Sequence, residues 1–428
     1  MRRIASAAVV LVAALTVLGA AGAATPGSTF GPPVKVTPPG GHGYEPAVYT
    51  DHYGNVFVTA HKENWQLALA PDLNSPTYTR SMSWAWASSD GGRTFGDLPG
   101  LTMLSVEQHD VGDEGDMALD DAGHLYFVDT NVGDVTFTRW SVHGLGQYSL
   151  DLHRPLLPAG EPVDDRPWVA AHGDGHVFYF GNEGDKTTYG NGRYTVYQSY
   201  DGGQTFDSLG TTLPDSGWCR PAADHAPGSQ YVYAYCTNDE GTLYAYVSSD
   251  DGHTFSRVTM GSYNAADGTQ SWPTGEVSVD GSLWVLYVDG QTNAAGDTVS
   301  NSLRLFHSTD HGATWSSRDI TPQPGRYQYG WLSVSSDGRK LGVGVYYRPD
   351  NASNWYVYGS IFGTGAKPKL VRLDPVSVQD AHCADAPGDL MGSAFDPDGT
   401  LSVVWTRNTD PTTCGLVTVR DIYYARSQ

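Results

Sequence analysis

Beyond residue 30, apolar and polar positions alternate with a period of two, the pattern of half-buried strands. Tyr244, Tyr246 and Ser248 share one face of such a run. No long amphipathic helical stretch follows the first thirty residues. The alternating runs come in pairs joined by a short turn with a glycine. The pairs are EPAVYTDHYGNVFVTA from Glu45, GDMALDDAGHLYFVDT from Gly115, DRPWVAAHGDGHVFYFGN from Asp165 and CRPAADHAPGSQYVYAYC from Cys219. Three more follow: GEVSVDGSLWVLYVDG from Gly275, YGWLSVSSDGRKLGVGVYY from Tyr329 and GDLMGSAFDPDGTLSVVWTR from Gly388. Their turn glycines, Gly54, Gly123, Gly175, Gly228, Gly281, Gly338 and Gly399, stand 69, 52, 53, 53, 57 and 61 residues apart. One four-stranded blade per step predicts an all-β fold, a seven-bladed β-propeller. Its strands are labelled A to D from axis to rim.

A second repeat follows some of these pairs. It reads SSDGGRTF at 88–95, SYDGGQTF at 199–206, SSDDGHTF at 248–255 and STDHGATW at 308–315. A turn between strands C and D needs a residue at positive φ, which Gly92, Gly203, Gly252 and Gly312 supply. Asp90, Asp201, Asp250 and Asp310 are expected to accept hydrogen bonds from their own turns, as structural staples. Blade 2, with a strand-like stretch at 135–140, and blade 6, with one at 355–361, lack the octet. The skeleton Ser-x-Asp-x-Gly-x-Thr-aromatic resembles the Asp-box (BNR) repeat of sialidase-superfamily propellers. The resemblance is specific for architecture and implies Asp-box turns here.

The two ends of the chain complement one another. Residues 421–427 read as a strand C that stops where an octet would begin. Residues 28–30 resemble an octet's end and lead into Val34-Lys35-Val36. The last blade is therefore expected to take strands A–C from the C-terminus and strand D from the N-terminus, an interlock that removes an exposed edge.

Composition adds compartment and charge. Arg2 and Arg3, the apolar run from Ile4 to Leu18 and Ala21-Gly22-Ala23 read as a signal peptide over residues 1–23. Residues 24–428 then form one propeller domain, secreted and without a stable membrane anchor. The mature balance is 23 basic against 47 acidic residues, a net of −24. Such a surface repels nucleic acid and suits cations, neutral glycans or basic partners. The four cysteines should pair in an oxidising compartment. Cys219 with Cys236, and Cys383 with Cys414, are each equidistant from an A–B turn. Residues so placed face one another across a hairpin, which favours these two pairs among three pairings.

Candidate chemistry gathers where strands A begin, on the face opposite the octets. Glu45, Asp113, Glu114, Asp116, Asp165, Arg166, Arg220, Glu276, Tyr329, Trp331 and Asp389 stand there. The B–C loops add Trp65, Tyr78, Tyr189 and Tyr194. Such groups either tie neighbouring blades or bind a ligand by carboxylate, guanidinium and ring contacts. For catalysis the candidates are Glu276, Tyr329, Asp165 and Glu45, since a glycosidase needs a raised-pKa acid and a second carboxylate or nucleophile. Glu276 with Tyr329 would be the nucleophile pair of a sialidase, and Arg166 and Arg220 could hold an anion. His42, His61, His109 and His225 could reach the same face and are read as satisfied polar groups.

The family resemblance also shows departures. Sialidases have six blades, and their first inner strand carries Phe/Tyr-Arg-Ile-Pro, whereas Gly43-Tyr44-Glu45-Pro46 stands here. An acid at the place of the Arg would repel a sialic acid carboxylate. The leading function is binding of a glycan or other extracellular ligand at the acidic axial face. The alternatives are a glycoside hydrolase and a protein-interaction scaffold. No cofactor is required, calcium would be tolerated, and a monomer is expected. Secretory expression should yield a mature N-terminus at Ala24, read by intact mass; a retained leader would refute the signal assignment.

Overall fold

Seven four-stranded antiparallel sheets succeed one another along the chain. The computed structural model describes residues 29–62, 83–100, 114–130, 135–157, 167–185, 188–238, 240–264, 272–292, 298–350, 352–410, 412, 414 and 419–428. The inner strands A are Gly43–Thr50, Glu114–Leu119, Trp168–His172, Cys219–Ala223, Thr274–Val277, Arg326–Val334 and Gly392–Phe395. Each pairs with its strand B through the glycine turn expected from the sequence, as in Trp168↔Phe180 to His172↔His176. No helix among the described residues is long and apolar enough to cross a membrane.

Alternation decides what packs where. Each sheet has two apolar faces, and each face meets the next blade. Tyr233, Tyr235 and Ala245 of blade 4 bury against Leu283, Val285 and Phe306 of blade 5, for example. Stacked sheets of this kind are held by apolar burial and ring packing between blades, with no backbone ladder crossing from one to the next.

The ends interlock. Blade 7 is ordered Val34–Lys35, Arg420–Arg426, Leu401–Asn408, Gly392–Phe395 from rim to axis. Val34 pairs with Tyr424 and Lys35 with Tyr423, and the Gln428 N–H donates to the Thr29 carbonyl at 2.8 Å.

All four octets form one hydrogen-bonded turn. In the second, the Ser199 hydroxyl donates to Asp201 at 2.8 Å, and the Thr205 N–H and hydroxyl donate at 2.9 and 2.7 Å. Gly203 N–H donates to Ser199 Oγ at 2.8 Å. These donors stabilise the carboxylate and outweigh desolvation, so the Asp201 pKa falls. For the exposed Asp310, the Thr314 hydroxyl and N–H and the Ser308 hydroxyl bring it down to about 2. The turn glycine has a second reason to be glycine. Gly203 lies at φ 82°, and a Cβ there would collide with the Phe137 ring of the preceding blade. At Gly252 the Phe178 ring carbon would stand 2.7 Å away. The octet is thus also a contact between blades.

Both disulfides form, with one difference in their placement. Cys219 and Cys236 face one another in the ladder at a Cα separation of 4.1 Å. Cys383 and Cys414, 5.5 Å apart, do not. Strand A of blade 7 begins only at Gly392, so this bridge ties the segment before that strand to the segment after strand B. Equal spacing from the turn found the pair, although the ladder never extends that far.

Asp201→Ala should cost about 1–2 kcal/mol in denaturant unfolding, from lost turn hydrogen bonds. Gly203→Ala should cost more, about 2–4 kcal/mol, through the left-handed φ and the blocked Phe137 contact. Equal losses would remove the inter-blade role of the turn.

Candidate functional site

The inner strands surround the axis side by side, each with one backbone edge unpaired by any ladder. Side-chain carboxylates meet those edges. Asp116 Oδ2 accepts the Val169 N–H at 3.0 Å, Glu276 Oε2 the Val334 N–H at 2.7 Å, and Glu45 Oε1 the Asp389 N–H at 3.0 Å. Each bond crosses to a neighbouring blade. The expectation that these acids tie blades together therefore holds for all three, and the remaining question is what else they do.

Glu45 and Tyr329 share one peculiarity. Each sits in a bulge of its strand A, between Tyr44 and Ala47 and between Gln328 and Trp331. Each is a non-glycine residue at φ 51°. Such backbone costs roughly 1–3 kcal/mol and tends to persist at functional positions. The two bulges flank the start of blade 7, where Asp389 lies. Burial, then the fields of Asp389, Asp385 and Glu45, raise the Tyr329 pKa well above that of an ordinary phenol. Tyr329 thus stays protonated, a hydrogen-bond donor and the opposite of an activated nucleophile. Glu276 does not pair with it. Its partner Val334 lies five residues further along the strand, roughly 15 Å from Tyr329. The sialidase-type pair expected from the sequence is not assembled.

Arg220 is also committed. Its guanidinium forks onto Asp116, with Nη1–Oδ2 at 2.8 Å and Nη2–Oδ1 at 3.2 Å. Nη2 also donates to the Tyr49 hydroxyl at 2.9 Å, and Tyr49 in turn donates to Asp116. The rings of Trp168 and Trp331 lie 4.2 and 4.7 Å from the guanidinium carbon. Burial opposes charge on Arg220, but Asp116 and Tyr49 outweigh it and raise its pKa. A cation so neutralised is a buried tie among blades 1, 2 and 4 rather than an open anion clamp.

A cavity of about 680 Å³ occupies the axis beyond this tie, with all seven blades on its wall. It runs from Arg220 and Trp331 to the A–B turns, where Asp121 and His225 stand. It therefore lies towards the octet face, not at the strand A starts where the sequence placed a ligand. Apolar residues form most of the wall, and Glu276 stands half-buried on it, with Asp51, Asp120 and Asp121 near the A–B turns. Desolvation pushes the Glu276 carboxyl from 4.5 up to about 7, against the pull of the Val334 N–H, His225 and Arg220. His225 Nδ1 lies 2.8 Å from Asp121 Oδ1. Burial disfavours charge on His225, but Asp121, Asp224 and Glu276 outweigh it and raise its pKa.

The other expected residues are dispersed. Glu114 opens strand A of blade 2, opposite Thr130. Asp113, Asp165, Arg166, Trp65, Tyr78 and His109 lie outside the described residues. Tyr194 belongs to the core, its hydroxyl 3.2 Å from Trp168 Nε1. His42 is held by Asp421 at 3.1 Å. Tyr49 and Asp121 escaped sequence reasoning, since nothing local marks a strand end or turn residue that faces the axis.

Comparison with known proteins places the fold. No protein-family model and no curated protein matches the chain. Among solved structures, a protein of unknown function from Dyadobacter fermentans DSM 18053 superposes with a TM-score of 0.51 at 13% identity, over 94% of this chain and 100% of that one. The GH74 enzyme of Niastella koreensis gives 0.53 at 15% identity, over 90% of this chain and 54% of that one. The NanB sialidase from Streptococcus pneumoniae gives 0.44 at 11% identity, over 90% and 68%. At these identities the first two likenesses are of fold alone. The chain is a seven-bladed β-propeller.

The raised Glu276 pKa has a consequence for stability. Between about pH 4.5 and 7 the folded state keeps a proton that the unfolded chain has released. The contribution of the protonated form is full below that window and is lost as pH rises through it. Glu276→Gln, which mimics the protonated acid, should flatten the fall of Tm across this range. An unchanged slope would show that Glu276 titrates normally.

Proposed function

We propose that this propeller is an extracellular binder of a neutral or cationic glycan-sized ligand, seated in the axial cavity with Glu276 as its principal polar contact. The observation that carries the reading is Glu276 itself, a half-buried carboxyl on the wall of a cavity whose volume suits a small ligand. With its pKa about 7, Glu276 can donate or accept a hydrogen bond near neutral pH, as recognition of hydroxyl groups demands. Arg220 is spent on Asp116, which disfavours an anionic ligand. The acidic balance of the chain acts in the same direction. Two disulfides and the N-terminal leader pattern support an extracellular setting. The octets, like Asp-box turns in hydrogen-bonding residues and spacing, support membership in that broad architecture.

A second reading has one specific observation in its favour. A carboxyl poised near neutral pH is what a glycosidase uses as general acid. Asp121, on the same cavity wall and hydrogen-bonded to His225, would be the second carboxylate. Its pKa is lowered, since the His225 hydrogen bond and charge outweigh desolvation, so it would act as the ionised partner.

Calorimetric titration with neutral, amino and sialylated oligosaccharides tests the first reading, and fluorogenic glycosides test the second. Neutral or amino sugars should bind, and Glu276→Gln should weaken the amino sugars by about tenfold or more without loss of Tm. Turnover that disappears in both Glu276→Gln and Asp121→Asn would favour the hydrolase. Preferential binding of sialosides, retained in Glu276→Gln, would refute the proposal.

A further inference from the structure

Outside the lining of the axial cavity, two histidines and an aspartate meet where blade 3 touches the octet of blade 4. His172 ends strand A and His176 begins strand B, and the two face one another in the ladder. Asp251 is a variable residue of SSDDGHTF, immediately before the turn glycine Gly252. His172 Nε2 lies 2.9 Å from Asp251 Oδ1, and His176 Nδ1 lies 2.7 Å from Asp251 Oδ2. One ligand atom from each of the three residues falls within 4.8 Å of the others.

The hydrogen-bond arithmetic of His172 is the decisive observation. Its other nitrogen, Nδ1, lies 3.2 Å from the Asp224 backbone carbonyl. Both ring nitrogens of a residue only 2% exposed thus face oxygens that can only accept. A neutral imidazole has one N–H and can satisfy one of them. Two arrangements satisfy both: a second proton on the ring, or a cation bound at Nε2 while Nδ1–H donates to the carbonyl. The latter is the usual environment of a metal-bound histidine, whose remaining N–H is fixed by a backbone oxygen.

We propose that His172, His176 and Asp251 form a zinc site that joins blade 3 to blade 4. Two imidazoles and a carboxylate are a donor set for zinc rather than for calcium, which takes oxygen ligands. Bonds of about 2.0–2.2 Å to a tetrahedral ion place donor atoms roughly 3.3 Å apart, so the two nitrogen–oxygen separations open by about half an ångström on loading. His176 keeps 36% of its side chain exposed, which leaves a solvent side for water as fourth ligand. His172 and His176 are on strands, and Asp251 is on a turn whose neighbours are held by Ser248 and Thr254. A second cluster, Asp120 with His124 and Asp174, lacks the same conflict. Asp120 accepts from the Tyr126 hydroxyl and from the Ala122, His124 and Gly175 N–H groups, so it is already satisfied.

The test uses the full mature protein after chelator treatment. Cobalt titration should give a stoichiometric visible band that zinc displaces, and zinc should raise Tm with concentration while calcium does not. His176→Gln should weaken cobalt binding by at least about tenfold, the low end of what even an outer partner's loss costs. Asp251→Gly places at this left-handed position (φ 60°) the residue that Gly91 and Gly202 supply in two other octets. It should therefore fold well and lose the zinc-dependent rise in Tm. Absence of cobalt binding by the folded wild type, or binding unchanged in both variants, would overturn the site.

Discussion

The unpaired edges of the seven inner strands shape the interior of this molecule. A backbone N–H that faces the axis must find an acceptor or remain solvated. Among the described residues Asp116, Glu276 and Glu45 answer this with carboxylates that reach into the neighbouring blade. Once carboxylates are inside, they need counter-charge or protons. Asp116 takes Arg220, and Arg220 takes the two tryptophan faces. Glu276 has no such salt bridge and answers burial with a raised pKa. One requirement of the backbone thus yields both a structural tie and a reactive carboxyl.

The architecture was legible in the sequence because its signals are local. Alternation and a glycine at each A–B turn act within a few residues, and each of the complementary ends is recognisable from a short stretch of its own. The candidate site was legible only by residue type. Glu45, Tyr329, Arg220 and Glu276 could each be placed on an inner strand, but not assigned a partner. Arg220 meets Asp116 and Tyr49 from two other blades, a contact fixed by ring closure and not by spacing. The bulges that turn Glu45 and Tyr329 into left-handed backbone leave no composition signal. His172, His176 and Asp251 were hidden in the same way, since Asp251 occupies one of the octet's variable places.

The octets show how one motif serves two scales. Within the turn, Asp, Ser and Thr satisfy one another. Across the blade boundary, the residue before the turn glycine touches the preceding blade. Arg139 donates to the Gly202 carbonyl at 2.9 Å, His311 stacks on Tyr231 with centroids 4.1 Å apart, and Asp251 meets two histidines. The motif is invariant where it makes the turn and varied where it meets a neighbour, which is how a repeated sequence can specify different seams.

The joining of both termini in blade 7 has a consequence in time. A ribosome releases Val34–Lys35 long before Arg420–Arg426, the strand it pairs with. For almost the whole interval the first strand has no partner, and the ring stays open. Closing a loop of this length costs only slightly more than closing a shorter one, because the entropy grows with the logarithm of length. The wait is therefore kinetic rather than energetic. Without Arg420–Arg426 the seventh blade cannot be sealed, because both Val34–Lys35 and Leu401–Asn408 lose the strand between them.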